Sequence, residues 1–478
     1  MHVYLGIDTG TSVIKGHAID QTGRTVAHAS RDRQIPPDGR PEHDPENVWW
    51  KEWKAVCQEL LRQLPSGSSV RCVAPTAMVP NLCLLDTQGN AVHSALLFYD
   101  DRAYEIEKQL DRELATPRWQ NEVLSKLIWL RTHLTEAWRP GLRLVSTHNY
   151  ITYRLTGSYT QDTVTAAECG SIYDPVAGRW SKEIISRYGL TDLAMPEVVP
   201  PLSVVGNVTE RAAAETDLPS GVPVIAGTAD SIASLIGAGT RTAGDVLIYY
   251  GTFNCAAGLR ADTADILAGS YKPYPVEWLT SVPRAGHQLR DIAKALFRDI
   301  SEQNIFQAFD SAAAKAPPGA NGLVFLQDVD LLTTTVSSSP RGALLNFQIG
   351  HSADDIARAV LESFAYALAL TLPSAPFDLP ERLFAGGGGA RSKVWRQIVS
   401  DVLERPQVHV RHSDRAHGSA LLALAAMDPD SFEMALDLMV DGAEIVYPSR
   451  DTGRYAAALS HYDEALGRLR EVRSWESS

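Results

Sequence analysis

Apolar and polar positions recur along this chain in patterns that predict mixed α/β structure. Three apolar runs, Val3–Asp8, Val13–Ile19 and a third from Thr25, are separated by short turns and predict a β-meander. Residues 244–258 predict a second pair of strands around a Gly-Thr turn. This likeness suggests that the second half of the chain begins as the first half does.

The first turn of the meander, DTGTSVIK, combines groups that can bind phosphate. Backbone N–H groups around Gly10, Thr11 and Ser12 can cradle phosphate oxygens, and Lys15 adds a cation nearby. Asp8 could hold a metal ion or its waters. An ordinary hairpin turn of small residues is the alternative, because Gly and Thr are common in turns.

The stretch Val222–Gly239 predicts a strand, a sharp turn and a helix. Asp230 lies where the strand passes into the helix, a position that faces the ligand crevice in open α/β sheets. A carboxylate there can accept a proton from a bound hydroxyl. The alternative is that Asp230 only caps the helix N-terminus.

A second strand-to-helix passage has an unusual composition. The strand Leu383–Ala385 runs into four consecutive glycines, Gly386–Gly389, and then into a helix with a clear apolar stripe. Glycines let a backbone approach a flat or charged ligand where a side chain would block it. We found no structural need for four of them in the sequence, which favours ligand binding over a flexible joint.

Two further pairs of polar residues are candidates, one at the end of a predicted strand and one in a predicted loop. Asp100 and Arg102 could hydrogen-bond vicinal hydroxyls, one accepting and one donating, or could form a helix cap with a surface ion pair. Glu42 and His43 precede a helix that starts with Asp-Pro, and they are weaker candidates for contact with a polar ligand.

Composition narrows the class of protein. With 478 residues, 45% hydrophobic and 21% charged, the chain predicts two large globular domains or one very large one. The net charge of −13 argues against nucleic-acid and anionic-membrane partners, because phosphate groups would be repelled at long range. The N-terminus predicts neither a signal peptide nor a membrane anchor, and five scattered cysteines fit a reducing compartment. We therefore expect a cytoplasmic protein.

These pieces, in this order, resemble the FGGY family of carbohydrate kinases. The resemblance covers about residues 3 to 430 and is carried by DTGTSVIK at 8–15, EHDPENVWW at 42–50, FYDDRA at 98–103, GTADSIASLIGAG at 227–239, YGTFN at 250–254, DIARAVLE at 355–362 and AGGGGARSKVWRQIVSDVL at 385–403. It implies an α/β fold of two actin-like (ribonuclease H-like) domains with an ATP/sugar cleft between them. The implied divisions are an N-terminal domain at 1–238, a C-terminal domain at 239–450 and a terminal helix and tail at 451–478.

The resemblance also implies roles for individual residues. Asp230 would be the general base that deprotonates the sugar hydroxyl attacking the γ-phosphate of ATP, and Asp8 would position Mg²⁺. The implied ATP contacts are Gly10, Thr11, Ser12, Lys15, Gly251, Thr252, Gly387, Gly388, Gly389 and Ala390. The implied substrate contacts are His43, Met78, Asp100, Arg102 and Asp230. The substrate would be a small sugar or polyol, with a pentulose such as xylulose or ribulose favoured.

Departures from the family pattern keep the substrate open. The loop that carries Met-His-Gly in xylulose kinases of this family reads Met78-Val79-Pro80-Asn81, and residues 327–347 lack two usual segments. A kinase of a branched, acidic or four-carbon substrate is therefore an alternative. An actin-fold nucleotide sensor without phosphotransfer is another, against which the retained Asp230 counts. A dehydrogenase is disfavoured because no early GxGxxG follows a strand. Whether the protein forms a homodimer is left open.

Overall fold

A computed structural model describes the protein over residues 1–33, 40–114, 122–251, 253–271, 273–282, 285–301, 303–327, 342–411, 414–449 and 452–473. Strands and helices alternate along most of this length. The predicted α/β class is confirmed.

The strands are β1 (His2–Thr9), β2 (Val13–Ile19), β3 (Thr25–Asp32), β4 (Glu42–His43), β5 (Ser69–Ala77), β6 (Cys83–Leu85), β7 (Ala95–Leu96), β8 (Arg143–Val145), β9 (Thr160–Asp162), β10 (Tyr173–Asp174), β11 (Arg179–Trp180), β12 (Glu197–Val199), β13 (Val204–Asn207), β14 (Pro223–Ile225), β15 (Thr228–Ala229), β16 (Val246–Tyr250), β17 (Asn254–Leu259), β18 (Val276–Val282), β19 (Val324–Leu326), β20 (Ala343–Leu345), β21 (Leu383–Gly386), β22 (Gln407–His409) and β23 (Glu444–Val446).

The α-helices are α1 (Lys51–Gln63), α2 (Tyr104–Leu114), α3 (Val123–His133), α4 (Thr147–Thr156), α5 (Thr163–Glu168), α6 (Lys182–Arg187), α7 (Glu210–Thr216), α8 (Asp230–Ala238), α9 (Thr263–Leu267), α10 (Ala285–Leu296), α11 (Ile305–Lys315), α12 (Ala353–Thr371), α13 (Lys393–Leu403), α14 (Arg415–Met427), α15 (Pro429–Asp441) and α16 (Thr452–Arg473). A π-helical segment, Pro45–Trp50, leads into α1, and Asp44 caps it as the Asp-Pro pair predicts.

The chain forms two compact units that exchange short segments. Unit 1 comprises Met1–Arg241, Ala261–Pro275 and Ser413–Asp441, and unit 2 comprises Thr242–Arg260, Val276–His412 and Gly442–Ser478. Helices α14 and α15 and the segment 261–275 belong with the first unit, so neither unit is one continuous stretch of the chain. The domain division at 238 stays a prediction.

The main sheet of unit 1 has the order β13-β14-β5-β1-β2-β3. Strands β1, β2 and β3 form the predicted antiparallel meander, β1 pairs with β5 in parallel, and β5 pairs with β14 in parallel. Strand β13 closes the row antiparallel to β14, and β15 pairs with the end of β5. Parallel strands therefore occupy the middle of the sheet, where both faces can be covered.

The sheet of unit 2 repeats this arrangement. Its order is β18-β17-β16-β21-β22-β23, with an antiparallel meander, two parallel pairs and one antiparallel edge strand. The sequence likeness between the two meanders thus reflects a repeated topology, and that prediction is confirmed.

The long helix α12 lies in the core of unit 2, as its apolar stripe predicts. Phe364, Ala365 and Leu368 are fully buried, and they pack with Tyr250 of β16 and Trp395 of α13. By length and composition, the stretch Ala353–Ser374 is apolar enough to cross a membrane, but 78% of its most apolar window is buried inside the protein. Its packing in the core accounts for its apolar composition.

Candidate active site

Asp230 is the first residue of α8, directly after strand β15. The N-cap position belongs to Ala229, so the simple capping alternative for Asp230 does not hold. The Asp230 side chain is only 16% exposed. Burial raises the pKa of its carboxyl, while the charge of Arg415 and the N–H groups at the start of the helix lower it. The Asp230 carboxylate is therefore a stronger base than an exposed aspartate. Arg415 and the N–H groups at the start of the helix still stabilise its charged form.

Arg415 reaches Asp230 from α14, a helix that lies 185 residues further along the sequence. Its Nη1 is 2.7 Å from Oδ2 of Asp230, and its Nε donates to Oγ of Ser234 one turn along α8. Two glycines allow this closeness. A Cβ on Gly418 would lie 1.9 Å from the carbonyl oxygen of Ala233, and one on Gly237 would lie 2.7 Å from that of Asp414.

Asp414 caps α14 and links it to the meander. Its Oδ1 accepts from the N–H of His417, and its Oδ2 is 3.3 Å from Nζ of Lys15. Although burial alone would raise the pKa of Asp414, His17 and Lys15 hold it well below the usual range. Lys15 is therefore paired with a carboxylate of unit 1, and its side chain is 43% exposed.

Asp8 lies at the end of β1 and is 5% exposed. Burial raises the pKa of its carboxyl to about 7, with Arg415 lowering it and Asp230 raising it. Its Oδ1 is buried without a hydrogen-bond partner in the described chain. An orphaned carboxylate oxygen is a ligand that Mg²⁺ prefers, so Asp8 fits the expected metal.

No cluster of three or more His, Cys, Asp or Glu side chains in the described ranges could hold a metal alone. A Mg²⁺ ion at Asp8 would therefore take most of its ligands from water and phosphate oxygens, as Mg²⁺ commonly does.

The turn after β1 offers two N–H groups rather than three. Gly10 donates its N–H to the carbonyl oxygen of Val13 and closes the turn. The N–H groups of Thr11 and Ser12 donate to no other described residue, and both residues are at least partly exposed. Gly10 therefore uses its own N–H to close the turn, whereas Thr11 and Ser12 can present theirs to phosphate. A contact between Gly10 and ATP stays a prediction.

Arg33 binds the main-chain carbonyl groups of this turn. Its Nη1 donates to the carbonyl oxygens of Gly10 at 2.6 Å and Thr11 at 3.0 Å, and its main-chain N–H donates to that of Ser12 at 2.7 Å. Glu52 pairs with the same guanidinium at 2.6 Å. Because the carbonyls are fixed inward, the N–H groups of Thr11 and Ser12 point to the other side of the turn.

The four glycines of unit 2 do not all serve one purpose. Gly387 has φ +88°, and a Cβ there would lie 2.4 Å from the carbonyl oxygen of Tyr250. A Cβ on Gly389 would lie 2.9 Å from the ring of Trp395. The expectation that packing does not require the glycines is thus wrong at these two positions. A Cβ on Gly388 meets nothing within 4 Å, so only Gly388 is left without a packing reason.

The other predicted ATP contacts of unit 2 are less open. Ala390 is fully buried in the core, so its side chain packs inside the unit. Gly251 donates its N–H to Oδ1 of Asn254 at 3.1 Å, which closes the turn between β16 and β17. Thr252 lies outside the described residues.

Two of the predicted substrate contacts, Asp100 and Arg102, are bonded to each other. Oδ1 and Oδ2 of Asp100 accept from Nε of Arg102 at 2.8 and 3.0 Å, and Arg102 also pairs with Glu42 and lies over the ring of Trp129. Asp100 is 1% exposed and Arg102 is 26% exposed. Arg102 and Glu42, which is 23% exposed, are therefore the members of this group that a ligand can reach.

Met78 and His43 are both buried in unit 1. The Sδ of Met78 accepts from the Thr11 hydroxyl at 2.8 Å, which places it under the first phosphate turn. Nδ1 of His43 accepts from the Trp49 indole, and burial together with Arg33 lowers the pKa of His43 to about 3. His43 is thus a neutral packing residue at physiological pH.

Two models of one known protein family match most of this chain. A model of the N-terminal domain of the FGGY family of carbohydrate kinases matches residues 3–237, and a model of its C-terminal domain matches residues 236–427. The chain belongs to the FGGY family of carbohydrate kinases. It is therefore a carbohydrate kinase, a phosphotransferase that uses ATP.

Individual FGGY relatives are distant. The chain is 28% identical to a xylulose kinase of Staphylococcus epidermidis over 88% of this chain and 87% of that protein. It is 26% identical to an L-fuculokinase of Salmonella typhi over 84% of this chain and 88% of that protein. The crystal structure of xylulose kinase from Rhodospirillum rubrum matches with a TM-score of 0.83 and 26% identity, covering 98% of this chain and 99% of that one.

Sequence reasoning missed several groups at this FGGY site: Arg33, Glu168, Tyr274, Asp414 and Arg415. Asp414 had a local signal, since an Asp three residues before His417 is a helix N-cap pattern. The contacts of the other four depend on tertiary packing, which no local pattern reports.

Proposed function

We propose that this FGGY kinase transfers the terminal phosphoryl group of ATP to a hydroxyl of a neutral ketopentose such as xylulose or ribulose. One observation carries the proposal. Asp230 is a shielded carboxylate of raised pKa, paired with a single cation, at the position where a strand passes into a helix. A general base needs this balance between basicity and ionisation.

The proposed reaction divides the work among residues of this chain. Asp230 accepts the proton of the substrate hydroxyl, whose oxygen bonds to the γ-phosphorus as the bond from that phosphorus to the bridging oxygen of ADP breaks. The N–H groups of Thr11 and Ser12 bind phosphate oxygens, and the adenosine lies against Gly388. Asp8 would hold Mg²⁺, which would neutralise phosphate charge when bound. Phosphoryl transfer depends mostly on such positioning and charge stabilisation.

The relatives are the reason for choosing a ketopentose. The loop 78–81 weakens that choice, because its sequence differs from that of xylulose kinases of this family. The relatives include proteins named xylulose kinase and L-fuculokinase, so the family resemblance alone supports more than one sugar. In the loop 78–81, Asn81 is committed to its own neighbours: it donates to Oγ1 of Thr147 at 2.8 Å and accepts from the N–H of Phe98 at 2.8 Å. A branched, acidic or four-carbon substrate remains the second candidate because this loop departs from the family pattern.

The experiment is ADP release from the full chain with ATP and Mg²⁺, with and without each member of a panel. The panel contains D- and L-xylulose, D- and L-ribulose, erythritol, L-erythrulose, glycerol and D-gluconate. The proposal expects the highest kcat/KM for a ketopentose. A higher value for a four-carbon compound would replace the substrate class, and no stimulation by any member would favour a nucleotide sensor.

A further inference from the structure

Glu168 ends α5, and the chain holds it beside Asp230 through a buried network. Asp162 caps α5 by accepting from the N–H groups of Val164 and Thr165, both at 3.1 Å. The same carboxylate accepts from the hydroxyl of Thr228 at 2.9 Å, two residues before Asp230. This network fixes the start of α5 against the strand that leads to Asp230.

The segment 261–275 belongs to unit 1, and it brings Tyr274 to Glu168. The Tyr274 hydroxyl donates to Oε1 of Glu168 at 2.6 Å, and the hydroxyl of Ser231, directly after Asp230, lies 3.5 Å from the same oxygen. The second oxygen, Oε2, accepts no hydrogen bond from the rest of the described chain. One oxygen of the carboxyl is thus committed and the other is available.

Two observations indicate that Glu168 serves a ligand rather than the fold. No cationic side chain of the described residues lies within ion-pair distance of it, although a shielded carboxyl without a cationic partner is unfavourable for folding. Burial, together with the nearby charges of Asp230 and Asp162, accordingly raises the pKa of Glu168 to about 8, although the hydrogen bonds from Tyr274 and Ser231 act in the opposite direction.

The second observation concerns exposure. Glu168, Ser231, Asp230 and Tyr274 are each partly accessible, whereas Ala229 is fully buried. Asp230 and Glu168, whose Oε1 lies 3.5 Å from the hydroxyl of Ser231, the residue after Asp230, are therefore neighbours that both keep some access to small molecules.

We propose that Glu168 is a specificity-determining residue whose Oε2 hydrogen-bonds a second hydroxyl of the substrate, close to the hydroxyl that Asp230 deprotonates. This inference rests on the proposed function, since it takes Asp230 as the base. It deepens that function by predicting that the enzyme selects substrates that carry the hydroxyl contacted by Oε2 over analogues that lack it. Tyr274 is a positioning residue, because it orients Glu168 and leaves Oε2 available.

The test uses D-xylulose and 1-deoxy-D-xylulose, or the corresponding pair for whichever sugar the wild type turns over best. The variants are Glu168→Gln, Glu168→Ala and Tyr274→Phe. Glu168→Ala should raise the KM for the full sugar about 10-fold, equivalent to one hydrogen bond of about 1.4 kcal/mol, and Tyr274→Phe about 3-fold. The KM for ATP should stay unchanged in each variant.

Comparing each sugar with its deoxy analogue separates a substrate contact from a purely structural role, because a structural role of Glu168 would not change the preference between the two compounds. The ratio of kcat/KM between a sugar and the analogue lacking the contacted hydroxyl should be about 10-fold larger in the wild type than in Glu168→Ala. If 1-deoxy-D-xylulose shows no such change, the remaining monodeoxy isomers are tested in turn. Ratios that stay at the wild-type value for every deoxy position would overturn the inference.

A matched control exists in the same unit. Tyr188 donates to Oε2 of Glu113 at 2.8 Å at the end of α2, so Glu113→Gln and Tyr188→Phe make the same chemical changes elsewhere. Both should leave the sugar KM unchanged.

Failure of the proposed function would be seen separately, as wild-type ADP release that no sugar stimulates. If Glu168→Ala does not fold, Tyr274→Phe and Glu168→Gln give the same comparison with the deoxy probes.

Discussion

Replacing Arg415 with methionine should make Asp230 harder to ionise without removing the base. The two groups are 2.7 Å apart, with exposures of 32% for Arg415 and 16% for Asp230. A nearby opposite charge typically lowers a carboxyl pKa by about 1–3 units. Because both side chains keep some contact with water, we expect about 1–2 units here, or about 1.4–2.7 kcal/mol.

The predicted result is a shift of the acidic limb of kcat/KM to higher pH. The wild type should lose activity as pH falls through the pKa of Asp230, and Arg415→Met should show the same loss about 1–2 pH units higher. At a pH below both limbs, the variant should be about 10- to 100-fold less active than the wild type. At a pH above both limbs the difference should be much smaller.

The assay is sugar-dependent ADP release from pH 5 to 9, with the KM for ATP measured at each pH. Other titratable groups act on Asp230, namely His148, Asp8 and Glu168, and all stay in place in the variant. Arg211→Met is the matched control, because it removes a surface Arg–Glu215 pair of the same unit. A folded Arg415→Met protein whose acidic limb does not move would refute the argument.

Three further predictions concern other parts of the two units. Arg33→Lys cannot hold both Glu52 and the turn carbonyls, so the KM for ATP should rise about 10-fold with little change in the sugar KM. Gly388→Ala should keep the melting temperature and raise the KM for ATP, whereas Gly387→Ala should lower the free energy of unfolding by about 2 kcal/mol, as thermal unfolding would show. Glu168 has a folded-state pKa of about 8 against 4.5 in the unfolded chain, so wild-type stability should fall between pH 4.5 and 8, by at most about 1.4 kcal/mol per pH unit. Urea unfolding at pH 5 and pH 8 should show that Glu168→Gln loses less stability than the wild type across this interval; equal losses would contradict the raised pKa.

Local patterns predicted most of the elements that present the site. The meander, the passage from strand to helix at Asp230 and the glycine-rich turn before α13 all follow from apolar spacing and turn residues within short stretches. The repeated sheet order was only suggested by the likeness of two meanders, because parallel pairing joins strands that are distant in sequence.

The electrostatic partners of Asp230 could not be predicted in the same way. Arg415 reaches α8 only because Gly237 and Gly418 let two helix backbones approach closely. His43 shows the opposite error, since a polar residue in a loop-like sequence proved to be buried under Trp49 and Arg33. Both outcomes depend on tertiary packing, which local composition does not report.

The central claim is that Asp230 removes the proton from the sugar hydroxyl, and the most direct measurement is single-turnover phosphoryl transfer by Asp230→Asn. Asparagine keeps the size and can still accept a hydrogen bond from Arg415, but it cannot take up the proton. With ATP binding close to that of the wild type, the transfer rate should fall by about 10²–10⁴-fold. A variant that binds ATP and transfers phosphate at the wild-type rate would contradict the account.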